Sequence, residues 1–283
     1  MTIAIFGNSQ KTNIHEEIEH LLDFFQRRGV DVMLSQELRQ ELNLRDYKAF
    51  GAEGNEVEFA LSVGGDGTFL TTAAAIIDTN IPILGINYGH LGFLAEVETK
   101  DVDLILDQLI AGQYTIEQRS LLHISGVEGN RQIDTDALNE VALMKSGLSS
   151  MLTIDTRVNG ELLNTYEADG LVISTPTGST AYNMSVGGPI MVPQARGILL
   201  SPIASHSLHD RPIVLPDDWQ LDLSVRSRNR NYLVSVDGRS QTVPQEMQLH
   251  IEKSKKTIKL VQLGERSFIH SLKVKLGWGS SAR

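Results

Sequence analysis

The first third of the chain alternates short apolar runs with longer amphipathic stretches. The apolar runs predict β-strands at residues 3–6, 30–34, 59–63 and 83–86. Residues 14–28 predict a helix whose apolar face carries Ile18, Leu21, Leu22 and Phe25, with Gly29 as its C-terminal cap. Further helices are predicted at residues 69–77 and 102–110. Strands that alternate with helices in this way favour an α/β domain with a mostly parallel sheet.

Beyond about Tyr114 the pattern changes to successive strand-like segments with little helical periodicity. Asn159-Gly160 predicts a two-residue hairpin turn, because both of its positions require a positive φ, and Asp237-Gly238 is a second candidate. Residues 271–278 form a short apolar segment that could pack on either part of the chain. We therefore predict an α/β domain at 1–114, an all-β domain at 115–262, and a separate C-terminal segment at 263–283.

The amino-acid composition excludes several classes of function. The 283 residues carry a formal net charge of -10, which disfavours broad binding to nucleic acids or anionic membranes, because such binding needs a basic surface. The chain has no cysteine, so thiolate chemistry and disulfides are excluded. The start of the chain lacks the pattern of a signal peptide, and no run of about 18 apolar residues suggests a membrane span. We expect a cytoplasmic protein with no membrane or nucleic-acid partner.

The decapeptide at residues 61–70 carries the strongest chemical signal. A predicted buried strand leads into Gly64, Gly65, Asp66 and Gly67. Glycines let the backbone approach a ligand and point N–H groups at phosphate oxygens. The lysine of a P-loop is missing, so the carboxylate is the reactive group, able to accept a proton from a hydroxyl or to help hold Mg²⁺. The alternative is a tight turn whose aspartate caps the next helix.

Three further segments accompany this loop. Asn139-Glu140 places an amide and a carboxylate between apolar runs; it is either a strand end or a pair that hydrogen-bonds an adenine edge and a hydroxyl. Residues 166–182 end in a turn rich in hydroxyl groups and glycine, which is either an ordinary loop or a site for a ribose, an amide or a phosphate oxygen. Asp237-Gly238-Arg239 alone indicates only a hairpin.

In this order, the glycine loop, Asn139-Glu140, Asp169-Gly170 with residues 175–182, and Asp237-Gly238 resemble the NAD kinase family. The segments 85–94, 206–214 and 275–278 fit the same family, so the resemblance runs from residue 3 to residue 278. The glycine loop is shared with lipid kinases and phosphofructokinase-like enzymes. The threonine-rich stretch after Asp169-Gly170 is the specific part.

The resemblance implies an α/β domain with the glycine loop, an all-β domain that holds NAD, and a C-terminal segment that returns to the first domain. It implies transfer of a phosphoryl group from ATP to the 2′-hydroxyl of the adenosine ribose of NAD, giving NADP. Asp66 is then the proton acceptor, and Mg²⁺ enters with ATP rather than in a protein metal site. The implied ATP-phosphate contacts are Gly64, Gly65 and Thr68. The implied NAD-binding residues are Asp66, Gly67, Asn139, Glu140, Glu167, Asp169, Thr177, Thr180, Ala181, Tyr182, Asn183, Ser185 and Arg239.

Asp169 is implied to contact the nicotinamide end from a neighbouring subunit, so we expect a homodimer or homotetramer. Two positions depart from the family pattern. Thr71 stands where many bacterial relatives carry a basic residue, and Glu167 stands where an arginine is associated with the choice of NAD over NADH. The sequence leaves two other functions open: a lipid kinase of the diacylglycerol type, and a dinucleotide sensor without catalysis. The sequence also does not show whether polyphosphate replaces ATP as the donor, whether the enzyme prefers NAD or NADH, or whether NADP inhibits it by feedback.

Overall fold

A computed structural model describes residues 1–11, 13–51, 56–88, 92–95, 97–98, 102–147, 151–263 and 267–278. The predicted motif residues 89–91 and parts of the predicted C-terminal segment, 264–266 and 279–283, lie outside this description. The helices are α1 Ile14–Arg27, α2 Gln36–Glu41, α3 Asp66–Ile76, α4 Val102–Ile110, α5 Tyr182–Ser185 and α6 Phe268–Leu276.

The strands of the first 118 residues are β1 Thr2–Gly7, β2 Asp31–Leu34, β3 Lys48–Ala49, β4 Phe59–Val63, β5 Ile83–Asn87 and β6 Val97–Glu98. Those that follow are β7 Thr115–Glu128, β8 Arg131–Ala137, β9 Glu140–Lys145, β10 Leu152–Val158, β11 Glu161–Ala168, β12 Gly170–Ser174, β13 Ile198–Ile203, β14 Ile213–Leu215, β15 Leu221–Arg226, β16 Asn231–Val236, β17 Arg239–Pro244 and β18 Leu249–Gln262. Within the described ranges, no helix combines the length and the apolar character needed to cross a membrane.

The chain divides into two compact units, and each unit boundary falls inside a long strand. The first unit comprises Met1–Gln118 together with the described part of Ile258–Arg283, and the second comprises Arg119–Thr257. The boundaries lie within β7 and β18. The C-terminal helix α6 therefore belongs to the same unit as the glycine loop.

The first unit contains a parallel sheet in the order β3-β2-β1-β4-β5. The predicted parallel α/β architecture is confirmed. The chain moves from β1 to β2 on one side and later from β4 to β5 on the other, so the strand order reverses between β1 and β4. Ligands of open α/β sheets bind outside the carboxyl ends of the strands at such a reversal. The glycine loop follows β4 directly at this place.

The core of the first unit forms where α1 covers the sheet. The predicted apolar face of α1 is buried, with Ile18, Leu21 and Phe25 all fully covered, and it packs in one cluster with Ile3 and Ile5 of β1. Each such buried side chain contributes roughly 1.5 to 3 kcal/mol relative to an exposed one. This packing holds the strand ends that carry the glycine loop.

Some predicted boundaries in the first unit were wrong. The helix expected at 69–77 begins at Asp66, because Gly65 forms its N-cap and Asp66 and Gly67 already have helical geometry. The short elements α2, β3 and β6 were not predicted. Residues 271–276 of the predicted segment belong to a helix, α6, which Ser267 caps by accepting the His270 N–H and which Gly277 ends at a φ of 66°.

The second unit contains two antiparallel sheets that share one core. One sheet has the order β11-β10-β15-β18, and the other has the order β14-β13-β12-β9-β16-β17. Both predicted hairpins are present: Asn159-Gly160 has φ values of 49° and 84°, and Asp237-Gly238 has values of 47° and 80°. Leu143 of β9 and Ile173 of β12 pack in the same cluster as Ile154 of β10 and Leu223 of β15. The prediction of an all-β fold after the α/β part is confirmed.

Candidate active site

The glycine loop makes a close turn from β4 into α3. Gly64 has a φ of 152°, and a Cβ there would lie 2.3 Å from the Thr68 Oγ1. Only glycine allows the Thr68 side chain to fold under the loop. The turn leaves the first N–H groups of α3 at the carboxyl edge of the sheet, where a helix start favours anions. The predicted phosphate contacts Gly64, Gly65 and Thr68 therefore lie together.

The Asp66 carboxylate is held by three successive backbone amides from another segment. Its Oδ2 accepts the Phe93 N–H at 3.0 Å, and its Oδ1 accepts the N–H groups of Leu94 and Ala95 at 3.0 and 3.2 Å. The alternative in which Asp66 caps the following helix is wrong, since Gly65 occupies the N-cap. A carboxylate has about four lone-pair positions, so one position remains for a proton. The side chain is 33% exposed, which leaves it accessible.

Two glycines permit this arrangement. A Cβ on Gly92 would lie 2.1 Å from the Asp66 Oδ1, and a Cβ on Gly85 would lie 2.8 Å from the Leu94 carbonyl oxygen and from the Ala95 Cα. Any larger residue would separate the segment 92–95 from β5 or from the carboxylate. The sequence showed these glycines only as parts of a family motif. Their role is to let three amides converge on one carboxylate.

A cation also reaches Asp66, and sequence reasoning missed it. The Lys275 Nζ of α6 lies 3.8 Å from the Asp66 Oδ2 and 4.4 Å from the centre of the Phe93 ring. The sequence shows Lys275 only as part of a C-terminal motif. Nothing in its local sequence indicates proximity to a residue that lies far earlier in the chain.

Open space adjoins the glycine loop within the first unit. A cavity of about 390 Å³ is lined by Gly7 at the end of β1, by Ser35 and Gln36 after β2, and by Thr68, Thr71 and Thr72 of α3. It lies at the carboxyl side of the sheet, beside the reversal of strand order. Thr71, which stands where many bacterial relatives carry a basic residue, is one of the residues that line this cavity. The Thr71 hydroxyl donates to the Gly67 carbonyl oxygen at 3.2 Å.

In the second unit, Asp237 fixes the backbone of the Asn139-Glu140 segment. Its Oδ2 accepts the Leu138 N–H at 2.7 Å, and its Oδ1 accepts the N–H groups of Asn139 and Glu140 at 2.8 and 3.1 Å. Burial raises the pKa of Asp237, and these three hydrogen bonds oppose that rise. The sequence indicated only a hairpin at this aspartate. The hairpin turn instead places a carboxylate against a neighbouring strand end.

The hydroxyl-rich turn packs directly against the same segment. The Thr175 hydroxyl donates to the Leu138 carbonyl oxygen at 2.6 Å, and a Cβ on Gly178 would lie 2.2 Å from the Asn139 carbonyl oxygen. The turn continues as a 3-10 helix at Thr177–Thr180, and the Tyr182 backbone lies near the Glu140 carboxylate, where it acts to lower the pKa of that group. The structure thus brings Asn139, Glu140, Thr177 and Tyr182 together.

Three buried polar atoms in this cluster have no hydrogen-bond partner among the described residues: Asn139 Oδ1, Glu140 Oε2 and Thr177 Oγ1. Burial and the nearby Asp237 carboxylate raise the pKa of Glu140 to about 7. Buried polar groups are normally paired, and unpaired ones cost roughly 1–3 kcal/mol each. A ligand with hydroxyl and amino donors would satisfy all three.

The remaining predicted NAD-binding residues fall into two places. Thr180, Ala181, Asn183 and Ser185 belong to the same turn and α5, where the fully buried Asn183 amide bonds to the Ser201 hydroxyl and to the carbonyl oxygens of Ser179 and Pro189. Asp169 and Glu167 lie at the other end of β12. Ser174 pairs with Glu140 while Gly170 pairs with Met144, so the two ends are separated by about four residues of strand, roughly 13 Å.

At that other end, the Asp169 carboxylate forms an ion pair with Lys145, with 2.6 Å between Oδ1 and Nζ, whereas Glu167 is exposed. Arg239 is exposed after the Asp237-Gly238 turn, and its Nε lies 3.5 Å from the Val236 carbonyl oxygen. The structure therefore does not bring Asp169 and Glu167 to Asn139 and Glu140.

We expect Glu140→Gln to change how stability depends on pH. The folded pKa of about 7 exceeds the ordinary value of 4.5, so the folded state binds the proton more tightly. Wild-type stability therefore falls as pH rises from about 4.5 through 7, by an amount on the order of 2–3 kcal/mol, and the glutamine variant lacks this loss. Between pH 5.5 and 8.5, urea unfolding should show the wild type losing about 2 kcal/mol of stability relative to the glutamine variant.

The exposed Glu167→Gln is the matched control and should follow the wild type at both pH values. Equal pH dependence in the wild type and in Glu140→Gln would show that Glu140 is ionised in the folded protein throughout this range.

Comparisons with known proteins agree over both units. Residues 3–114 match the ATP-NAD kinase N-terminal domain, and residues 138–263 match the ATP-NAD kinase C-terminal domain. The chain is 39% identical to the NAD kinase of Bacteroides fragilis over 289 residues and 39% identical to that of Flavobacterium johnsoniae over 293 residues. Each alignment covers 100% of both proteins.

Solved structures share the fold at lower identity. A yeast NADH kinase complexed with NADH has a TM-score of 0.90 at 24% identity, covering 100% of this chain and 89% of the other. An NAD kinase from Archaeoglobus fulgidus in complex with ATP has a TM-score of 0.78 at 23% identity, covering 98% and 99%. Because both family domains and full-length relatives match, the chain belongs to the ATP-NAD kinase family.

Proposed function

We propose that this chain transfers the γ-phosphoryl group of ATP to the 2′-hydroxyl of the adenosine ribose of NAD, giving NADP and ADP. In this step the bond from the 2′-oxygen to the γ-phosphorus forms, and the bond from that phosphorus to the β–γ bridging oxygen breaks. The hydroxyl proton passes to Asp66. The observation that carries the proposal is the Asp66 carboxylate, oriented by three backbone amides beside a glycine loop, in a chain that matches NAD kinases over its full length.

The donor side of the reaction is proposed for the first unit. Gly64, Gly65 and Thr68 present the start of α3 to the phosphates, and the adjoining cavity of about 390 Å³ has room for part of the nucleotide. Among the described residues no group of three His, Asp or Glu side chains is arranged to hold a metal ion. Mg²⁺ is proposed to enter with the triphosphate of ATP, where the ion would neutralise charge during transfer.

The acceptor side is proposed for the second unit. The unpaired buried polar atoms Asn139 Oδ1, Glu140 Oε2 and Thr177 Oγ1 are proposed to bind the adenosine half of NAD. Tyr182, with Thr180, Ala181, Asn183 and Ser185, would form the wall of the adenosine site, and Arg239 is proposed to contact the ribose. For the first unit, Gly67 is proposed to contact NAD beside Asp66. This assignment is supported by the convergence of the turn on Asn139-Glu140.

Asp169 and Glu167 are proposed to act on the nicotinamide end of NAD in a neighbouring subunit of a homodimer or homotetramer. Their separation from Glu140 by the length of β12 supports a role apart from the adenosine site. We also propose that the enzyme works in the cytoplasm on free NAD and ATP. The match of the second unit to the NAD kinase C-terminal domain favours NAD over a lipid acceptor.

We expect Asp66→Asn to lower NADP formation by about two orders of magnitude or more, because the amide cannot accept the hydroxyl proton. Its NH₂ group would also face an amide donor that now bonds the carboxylate. NAD affinity should remain within a few-fold of wild type, since the proposed adenosine contacts belong to the second unit. Coupled NADP formation and calorimetric titration with NAD would measure the two quantities.

Asp23→Asn is the control, because Asp23 is an exposed carboxylate of the same unit that pairs with Arg27 on the surface of α1. Near-normal turnover of Asp66→Asn would rule out the proposed base.

We expect Gly92→Ala to fold but to lose turnover. The new Cβ would lie 2.1 Å from the Asp66 Oδ1 and so would displace the carboxylate from its amides. A misplaced reactive group lowers the rate by about tenfold or more. Thermal unfolding should show a folded protein, and coupled NADP formation should show the loss. Wild-type turnover in a folded variant would mean that the amide contacts do not position the base.

A further inference from the structure

The C-terminal helix α6 brings a cation to the glycine loop. We propose that Lys275 binds the terminal phosphates of ATP and supplies the positive charge that the loop itself lacks; this rests on the function proposed above. Phosphoryl transfer concentrates negative charge on the moving group, and cationic side chains or metal ions neutralise it. The loop from Gly64 to Thr68 contains no basic residue, and Thr71, in the first turns of α3, is neutral.

The Lys275 ammonium forms an ion pair with Asp66 but donates no hydrogen bond to it. The 3.8 Å between Nζ and Oδ2 exceeds the distance of a hydrogen bond, and the Asp66 oxygens already accept three amide N–H groups. The Nζ also lies 4.4 Å from the centre of the Phe93 ring, a contact that steadies the cation through the ring face. Donor hydrogens therefore remain for phosphate oxygens close to the base.

The packing of α6 explains why Lys275 occupies this position. The Phe268 ring lies 6.3 Å from the Phe93 ring between centroids, and Ser271 and Leu272 are buried. Phe93 belongs to the segment whose amides hold Asp66. The base and the cation are thus supported by one segment, which sets their separation.

In the proposed step Lys275 neither gains nor loses a proton. Its ammonium donates hydrogen bonds to oxygens of the γ-phosphoryl group while the bond to the 2′-oxygen forms and the bond to ADP breaks. The hydroxyl proton goes to Asp66.

The test compares Lys275→Met, Lys275→Arg and the control Lys273→Met. Lys273 is an exposed lysine in the last turn of the same helix. Steady-state NADP formation with ATP and NAD varied separately, calorimetric titration with MgATP and with NAD, and thermal unfolding are measured for each protein. We expect Lys275→Met to lower kcat/KM for ATP by about 30-fold or more and to weaken MgATP binding. NAD affinity and thermal unfolding should stay close to wild type.

Lys275→Arg should recover at least about a tenth of the wild-type kcat/KM for ATP, because it keeps the charge and the donors. Lys273→Met should behave as wild type. The proposal is overturned by Lys275→Met with ATP parameters within about threefold of wild type, by an equal loss in Lys273→Met, or by parallel loss of NAD and ATP binding. If the wild type makes no NADP, the proposed function fails, and the MgATP titrations still decide whether Lys275 binds phosphate.

Discussion

A carboxylate that accepts three successive backbone N–H groups organises each unit of this protein. Asp66 binds the amides of residues 93–95, and Asp237 binds those of residues 138–140. In both, one oxygen takes two hydrogen bonds and the other takes one. Charge-assisted hydrogen bonds are stronger than neutral ones and fix direction as well as distance. The carboxylates thus pair backbone amides that would otherwise lack partners, and they fix the conformation of residues 93–95 and 138–140.

The two carboxylates serve different ends because their surroundings differ. Asp66 is partly exposed, begins a helix and has Lys275 nearby, so its remaining lone pair can meet a substrate. Asp237 is desolvated enough that its pKa rises, and its amide partners lead directly into Asn139 and Glu140. Asp66 therefore suits chemistry, whereas Asp237 suits the placement of neighbouring side chains. The same local device supports the proposed base in one unit and the proposed recognition site in the other.

The elements that could be predicted from the sequence are those that local patterns of residues determine. The face of α1, the strands on either side of the glycine loop and both hairpins follow from periodicity and from positive-φ turn residues. The start of α3 was misplaced because Asp66 and Gly67 are weak helix formers that the fold nevertheless places in the first turn. The sequence did not predict α2, with six residues, or β3, with two, because elements this short show no clear periodicity of apolar and polar residues.

The site was predictable in its residue types but not in its contacts. Asp66, Asn139 and Glu140 stood out as polar residues at the ends of apolar runs. The amides of 93–95, the reach of Asp237 to 138–140 and the approach of Lys275 depend on chain segments that are distant in sequence. No local pattern encodes such contacts. They follow from the order of strands in each sheet and from the packing of α6.

The adenosine site proposed in the second unit is unfavourable to the protein without ligand. A carboxyl group with a pKa near 7 and unpaired oxygens on Asn139 and Thr177 are features that a fold optimised for stability alone would pair or replace. The hydrogen bonds that Asp237 accepts from the N–H groups of residues 138–140, and the one that Thr175 donates to the Leu138 carbonyl oxygen, hold the backbone that carries Asn139 and Glu140. A ligand that supplies the missing donors therefore removes an existing penalty, and it stabilises the folded chain by an amount that rises with the logarithm of the ratio of its concentration to its dissociation constant. Ligand affinity at this site and the stability of the second unit therefore depend on the same set of interactions.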